Sequence, residues 1–183
     1  MDQFEKRSIY WVFAILVIVI APIIVLLTPV VLSVVVFEDP NKIAFISFGK
    51  NLIMYLLAFF ITFISLVFLY FVKKFITKLY VIILSLFGFF TIYLTGLNYY
   101  VYLDENYIEY NPLLGSKVVY QWAELTNVRH LYPDSETGED EKYIFHFSDG
   151  YSFQFEPTGA MDSSVKSKLY NKLQLFKVPI EEY

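Results

Sequence analysis

The chain has 183 residues, of which 57% are hydrophobic and only 17% charged, and it contains no cysteine; an ordinary soluble domain carries ~25% charged and ~45–50% apolar residues. Residues 1–78 hold seven Lys/Arg and four Asp/Glu and residues 79–183 hold seven and fourteen, so a balance of +3 precedes one of −7. These numbers exclude a wholly soluble, disordered or collagen-like chain, and zero Cys excludes disulfides, thiolate chemistry and Cys-based metal centres; what remains is a membrane protein with one small acidic domain.

Three uncharged runs come first: Ser8–Phe37 with 30 residues, Asn51–Val72 with 22 and Leu79–Leu103 with 25. About 20 apolar residues in a helix cross the hydrocarbon core, because each residue rises ~1.5 Å through ~30 Å. The expected spans are therefore about 9–37, 51–72 and 79–98, and residues 1–98 form the transmembrane region. The first run is too long for the 7–15-residue core of a signal peptide and lacks an A-x-A-like site, so it reads as a retained helix. Pro22 and Pro29 lie on nearly one face of it and can kink it. Tyr10, Trp11, Tyr70, Tyr80, Tyr99, Tyr100 and Tyr102 flank the spans as interfacial belts would. No ionisable residue lies deep in a span, which argues against a pump, an ion-coupled transporter or an intramembrane metalloprotease. Asn51, Thr62, Ser65, Ser85, Thr91 and Thr95 read as polar contacts between or within helices. Gly88 and Gly96 form no GxxxG pair.

From Tyr99 the pattern changes to short alternating runs separated by turn residues: Tyr99–Leu103, Tyr107–Tyr110, Lys117–Gln121, Asn127–Tyr132, Lys142–Phe147 and Tyr151–Phe155. Residues 99–183 are expected to form a small β-rich α+β domain with antiparallel strands. The last two runs fix their own register. A two-residue turn at Asp149-Gly150 mixes the faces. A three-residue loop, Ser148-Asp149-Gly150, sets Phe147 opposite Tyr151, Phe145 opposite Phe153 and Tyr143 opposite Phe155, so that one face is entirely aromatic. Gly150 then supplies the left-handed residue such loops require. Met161, Val165, Leu169, Leu173 and Phe176 make one apolar stripe of a closing helix, with Asp162 as N-cap and Pro179 as the stop.

These strands, the segment Tyr120-Gln121-Trp122-Ala123-Glu124-Leu125-Thr126-Asn127-Val128, the Asp-Gly hairpin and the final helix resemble bacterial membrane-anchored pleckstrin-homology-like (PH-like) domains over about Tyr99 to Phe176. The resemblance implies an antiparallel sheet or partial barrel closed by the C-terminal helix. It implies no catalytic residues. Six strands are counted where the family has seven, the seventh being hidden near Asn111–Leu114 or absent.

The remaining candidates are weighed by their chemistry. His130 and His146, the two histidines of the chain, could become neighbours if their strands pair, and with Glu124 could bind a metal; hydrogen-bonded strand histidines are the simpler expectation. Pro133–Glu141 carries five acids, but its spacing is not that of a calcium loop, and an exposed hairpin tip fits better. Ser163-Ser164-Val165-Lys166 has no catalytic partners. No nucleotide, zinc-protease or nucleophile-elbow motif occurs. The expectation is that there are no catalytic, cofactor-binding or metal residues and no cofactor. The acidic balance disfavours lipid-headgroup and nucleic-acid binding alike, and no small-molecule substrate is indicated.

The expected function is that of a non-enzymatic multi-pass protein of the cell membrane that presents a PH-like domain to a protein partner. The alternative is an accessory or regulatory subunit of a membrane transporter or envelope-stress system acting through its helices. Lys6, Arg7, Lys73, Lys74 and Lys78 lie on one side of a three-span arrangement, against Lys42, Lys50 and Lys117 on the other. The positive-inside rule then puts the N-terminus inside and the C-terminal domain outside; the resemblance points to a cytoplasmic domain.

Overall fold

The computed structural model describes residues 3–47, 49–133, 140–157 and 161–183, of which residues 3–7 are described as backbone only. The order of elements is α1 (Gln3–Val31), a π-wound segment (Leu32–Val36), β1 (Lys42–Ser47), α2 (Gly49–Phe71), α3 (Phe75–Leu97), β2 (Tyr100–Asp104), β3 (Tyr107–Asn111), β4 (Val118–Gln121), a short 3-10 turn (Trp122–Glu124), β5 (Leu125–Leu131), β6 (Lys142–Phe147), β7 (Ser152–Phe155), α4 (Ser163–Leu175) and β8 (Ile180–Glu182). These divide into two compact units: residues 1–32 with 49–98, and residues 33–48 with 99–183.

The first unit holds three helices long and apolar enough to cross a membrane, Ser8–Val36, Gly49–Phe71 and Phe75–Leu97. α1 continues through Pro22 and Pro29. α3 begins four residues before Leu79, so Lys78 lies in its first turn, where its ammonium sits 4.8 Å from the centre of the Tyr10 ring. The polar residues bond locally or across helices: Thr62 to the Ala58 carbonyl, Thr95 to the Thr91 carbonyl, and Thr28 to the Tyr93 hydroxyl at 2.6 Å. Gly96 has a packing reason that its sequence spacing does not reveal. A Cβ there would lie 2.7 Å from the Tyr55 ring, so glycine is what lets α2 and α3 approach at that level.

The second unit contains two four-stranded sheets, β1-β2-β3-β4 and β7-β6-β5-β8, antiparallel except for the parallel β5–β8 pair. No ladder joins one sheet to the other among the described residues, so the unit is a pair of packed sheets rather than a closed barrel. All six expected strand runs are present, with ends shifted by a residue or two. Two further strands complete the sheets. β8 follows Pro179. β1 comes from Glu38–Lys50, a stretch the division at residue 98 leaves as a turn between spans. That reading is corrected: Phe45 pairs with Tyr102 and Ser47 with Tyr100, so the chain between the first two spans belongs to the β unit. Asn111, where a seventh strand was sought, is the last residue of β3.

The β6–β7 hairpin has the aromatic register, with Phe145 opposite Phe153 and Tyr143 opposite Phe155. The Phe147 amide donates to the Tyr151 carbonyl, and Gly150 has φ +84°. This face meets the inner face of the other sheet through stacked rings, Tyr120 on Phe147 at 3.9 Å and Tyr110 on Phe153 at 4.4 Å. Trp122 turns the chain between the sheets. It is 1% exposed and its indole N–H donates to the Asp104 carbonyl at 2.9 Å. Leu125 and Val128 follow it into the core, so the Trp-x-x-Leu-x-x-Val segment is the corner that joins β4 to β5.

α4 starts as expected, with the Asp162 carboxylate accepting from the Val165 amide at 2.8 Å. Met161, Leu169 and Leu173 are buried and Val165 partly so, but Phe176 is 41% exposed and lies at the C-cap. The helix ends before Pro179 acts. Lys177 takes a left-handed φ of 55°, its amide donates to the Gln174 carbonyl, and the Val178 amide donates back to the Leu173 carbonyl. This is the Schellman pattern, closed by Val178 packing in the same core as Leu173.

Candidate functional site

β5 and β6 pair, as the metal reading of the histidines requires, but the register keeps the two apart. His130 lies opposite Tyr143 and His146 opposite Asn127, three positions along the ladder. An odd offset puts them on opposite faces of a strand pair. Glu124 is elsewhere, accepting from the Gln121 amide at 2.6 Å in a capping box of the 3-10 turn. Among the described residues no three His, Asp or Glu side chains are grouped as metal ligands. Ser163 and Ser164 open α4.

His130 instead forms the centre of a buried polar cluster. It is 3% exposed, stacked on the Tyr143 ring at 4.2 Å. Its Nε2 lies 2.7 Å from Glu141 and its Nδ1 3.1 Å from the Tyr170 hydroxyl of α4. Glu141 also binds the Lys166 ammonium at 2.8 Å. Burial pushes the Glu141 carboxyl up, but the hydrogen bonds and charges of Lys166 and His130 outweigh it and hold the group below its ordinary value. The expectation of an exposed acidic tip therefore fails at Glu141, which bolts β6 to α4 and β5. Residues 134–139 of that loop lie outside the described residues. Tyr143, burdened first by burial and then by Tyr170 and Glu141, is pushed far above the ordinary phenol value and stays neutral. Every member of the cluster has a partner inside it, and the contacts of Glu141 with Lys166 and of His130 with Tyr170 tie α4 to the sheet.

A second polar region lies on the outer face of the first sheet. Alternation along Tyr100-Val101-Tyr102-Leu103-Asp104 and Tyr107-Ile108-Glu109 sends Val101, Leu103 and Ile108 into the core and the tyrosines and acids outward. Yet Tyr100, Tyr102, Asp104 and Glu109 are all buried, because the chain leaving the first span folds over them. Phe37 is the cover: its ring stacks on Phe45 at 4.5 Å and lies 4.8 Å from Tyr100 and 5.5 Å from Tyr102. Tyr100 and Tyr102 are thus ordered sheet residues, which corrects their reading as an interfacial belt. Glu109 accepts the Tyr100 hydroxyl at 2.5 Å and pairs with Lys117 at 3.3 Å. Lys42 donates to the Ser33 carbonyl at 2.7 Å, satisfying an acceptor at the end of the first helix. Beside Phe37 a recess of about 160 Å³ remains, lined by Val36, Phe37, Glu38, Asp39, Tyr102, Tyr107 and Glu109. The sequence hinted at it only through the alternation of tyrosines and acids, since Glu38 and Asp39 come from more than 60 residues upstream.

The helical unit has its own cavity of about 370 Å³ between α1 and α2, walled by residues such as Ala21, Pro22, Phe59 and Phe63, and apolar throughout. It offers no group for chemistry. The chain matches no protein-family model and no curated protein.

Proposed function

We propose that this chain is a multi-pass protein of the cell membrane whose β unit is a PH-like domain that docks a protein partner, without catalysing a reaction. The observation that carries the reading is the arrangement of the second unit. Strands β1–β4 form one sheet, β5–β7 the core of the other, and a C-terminal helix packs its apolar stripe on the junction. The seventh strand that the sequence comparison lacks corresponds to β1, supplied from between the first two spans. Because β1 and β2 share a ladder, residues 42–47 and 100–104 must lie on one side of the bilayer, and the second and third spans then cross as a pair. Partner docking is supported by apolar side chains left exposed on the β unit, Leu114 at 85%, Val119 at 49% and Leu175 at 70%. Val119 lies on the edge strand β4, where an extended peptide can add to the sheet.

By the positive-inside rule the β unit faces outward. A single cysteine at Ser135 reacts with an impermeant maleimide on intact cells under this orientation; reaction confined to opened cells reverses it. Docking is tested by photo-crosslinking residues placed at Leu114 and Val119, and separately at the exposed helix positions Leu84 and Phe87, in native membranes. A discrete partner captured from the β positions supports the reading. Capture from the helix positions alone supports the accessory-subunit alternative instead.

A further inference from the structure

The link between α2 and α3 is Val72-Lys73-Lys74, and Lys78 follows in the first turn of α3. Three cations thus gather at one end of the helical unit. Lys73 and Lys74 are exposed, and neither has a hydrogen-bond or ion-pair partner among the described residues. Lys78 is half-buried, its ammonium 3.4 Å from the Tyr10 hydroxyl of α1 and 4.8 Å from the centre of that ring. The Lys78 amide donates to the Lys74 carbonyl, so these two lysines are neighbours at a spacing of four, where like charges repel. The surrounding sequence supplies no counter-charge. Residues 40–103 contain no Asp or Glu, and residues 1–7 hold two acids against two basic residues. The acidic balance that disfavours lipid headgroups belongs to the β unit; residues 49–98 carry four lysines and no acid.

The aromatic rings around the lysines give the depth at which this charge sits. Trp11 of α1 meets Tyr70 of α2 edge-on at 5.9 Å, one residue before α2 ends at Phe71, and Tyr10 holds Lys78 of α3. Three helix ends therefore converge on the patch. Tyr and Trp favour the headgroup level of a bilayer, and α2 and α3, with 23 residues each, are long enough to bring their ends to it. An acidic protein segment would also answer the charge, but the bilayer itself delivers lipid phosphate to this level. We propose that Lys73, Lys74 and Lys78 form a binding site for the headgroup phosphate of an anionic phospholipid. Tyr10 steadies Lys78 beside the phosphate, and the two free lysines of the link close on it. The inference rests on α2 and α3 crossing the bilayer, as the proposed function has it.

The full chain is reconstituted in nanodiscs of equimolar phosphatidylglycerol and phosphatidylcholine with matched acyl chains. It is then released into mild detergent, and the lipids it retains are counted by native mass spectrometry. The parent should retain phosphatidylglycerol over phosphatidylcholine about five-fold or more, the order of selectivity that one lysine near an anionic headgroup provides. Lys73→Gln/Lys74→Gln should bring the two lipids near parity, whereas Lys73→Arg/Lys74→Arg should keep the preference; both positions are exposed, so these variants keep the fold. Lys50→Gln, which removes a cation from the far end of α2, should leave the preference unchanged. The proposal is overturned if the parent retains both lipids equally, if the double glutamine variant keeps the full preference, or if Lys50→Gln removes as much of it. A chain that enters no disc contradicts the reading of α2 and α3 as spans; a chain that enters and shows no preference overturns the lipid site alone.

Discussion

Gly150, at φ +84° with open space around its Cα, is fixed by backbone conformation alone. Substitution there isolates the cost of that conformation from any clash. Gly150→Val should lower stability by roughly 1–3 kcal/mol, since a β-branched residue resists the left-handed region, and Gly150→Asn by less than about 1 kcal/mol. Denaturation of the full chain in detergent measures both; equal stability of the two variants contradicts the three-residue loop. Glu141 makes a pH-dependent contribution. Its carboxyl titrates below its ordinary value in the fold, so the stability it provides is present above the ordinary glutamate range and is lost as pH falls through the lowered folded value. Glu141→Gln should therefore be less stable than the parent at neutral pH, and the gap should narrow on acidification below about pH 4.5. A gap independent of pH between 7 and 3 would show that the charge of Glu141 does not hold α4 in place. His130 shows why such a cluster is hard to read from a sequence. Nothing local distinguishes a buried histidine from an exposed one on a strand, and its partners Glu141 and Tyr170 are 11 and 40 residues away.

At the scale of elements, α4 is anchored by few side chains. Leu169 and Leu173 are 0% and 1% exposed, whereas Lys168 is exposed. Leu169→Ala and Leu173→Ala should each cost ~2–5 kcal/mol, and Lys168→Ala less than ~0.5; comparable small losses from all three would mean that the helix does not dock on the sheet. The β6–β7 hairpin and α4 were legible because each carries its own period and its own end signals: an aromatic face with Gly150, an apolar stripe with Asp162. β1 was not legible. Ile43-Ala44-Phe45-Ile46 is an apolar run too short for a span and buried on both faces, so it shows no alternation to announce a strand. Its partner, β2, lies more than 50 residues away, beyond the long helices α2 and α3. The same distance hid the aromatic recess, whose two halves come from either side of those helices.

For the whole molecule, the consequence is a β unit interrupted by two helices long and apolar enough to cross a membrane. Its first strand is made before α2 and its second after α3, so the unit cannot close until both helices are in place. The ladder between β1 and β2 is therefore the central claim, and the absence of native cysteine makes it directly measurable. Ser47 and Tyr100 are register partners, within the Cα separation a disulfide needs, while Ser47 and Asn111 stand two strands apart, about 10 Å. Full-length Ser47→Cys/Tyr100→Cys and Ser47→Cys/Asn111→Cys are oxidised in native membranes, and the remaining thiols are counted by the gel shift of a maleimide-polyethylene glycol. The first pair should lose both thiols to an intramolecular disulfide and the second should keep them. Free thiols in the first pair, or equal crosslinking in both, would contradict a β unit built from the chain on both sides of α2 and α3.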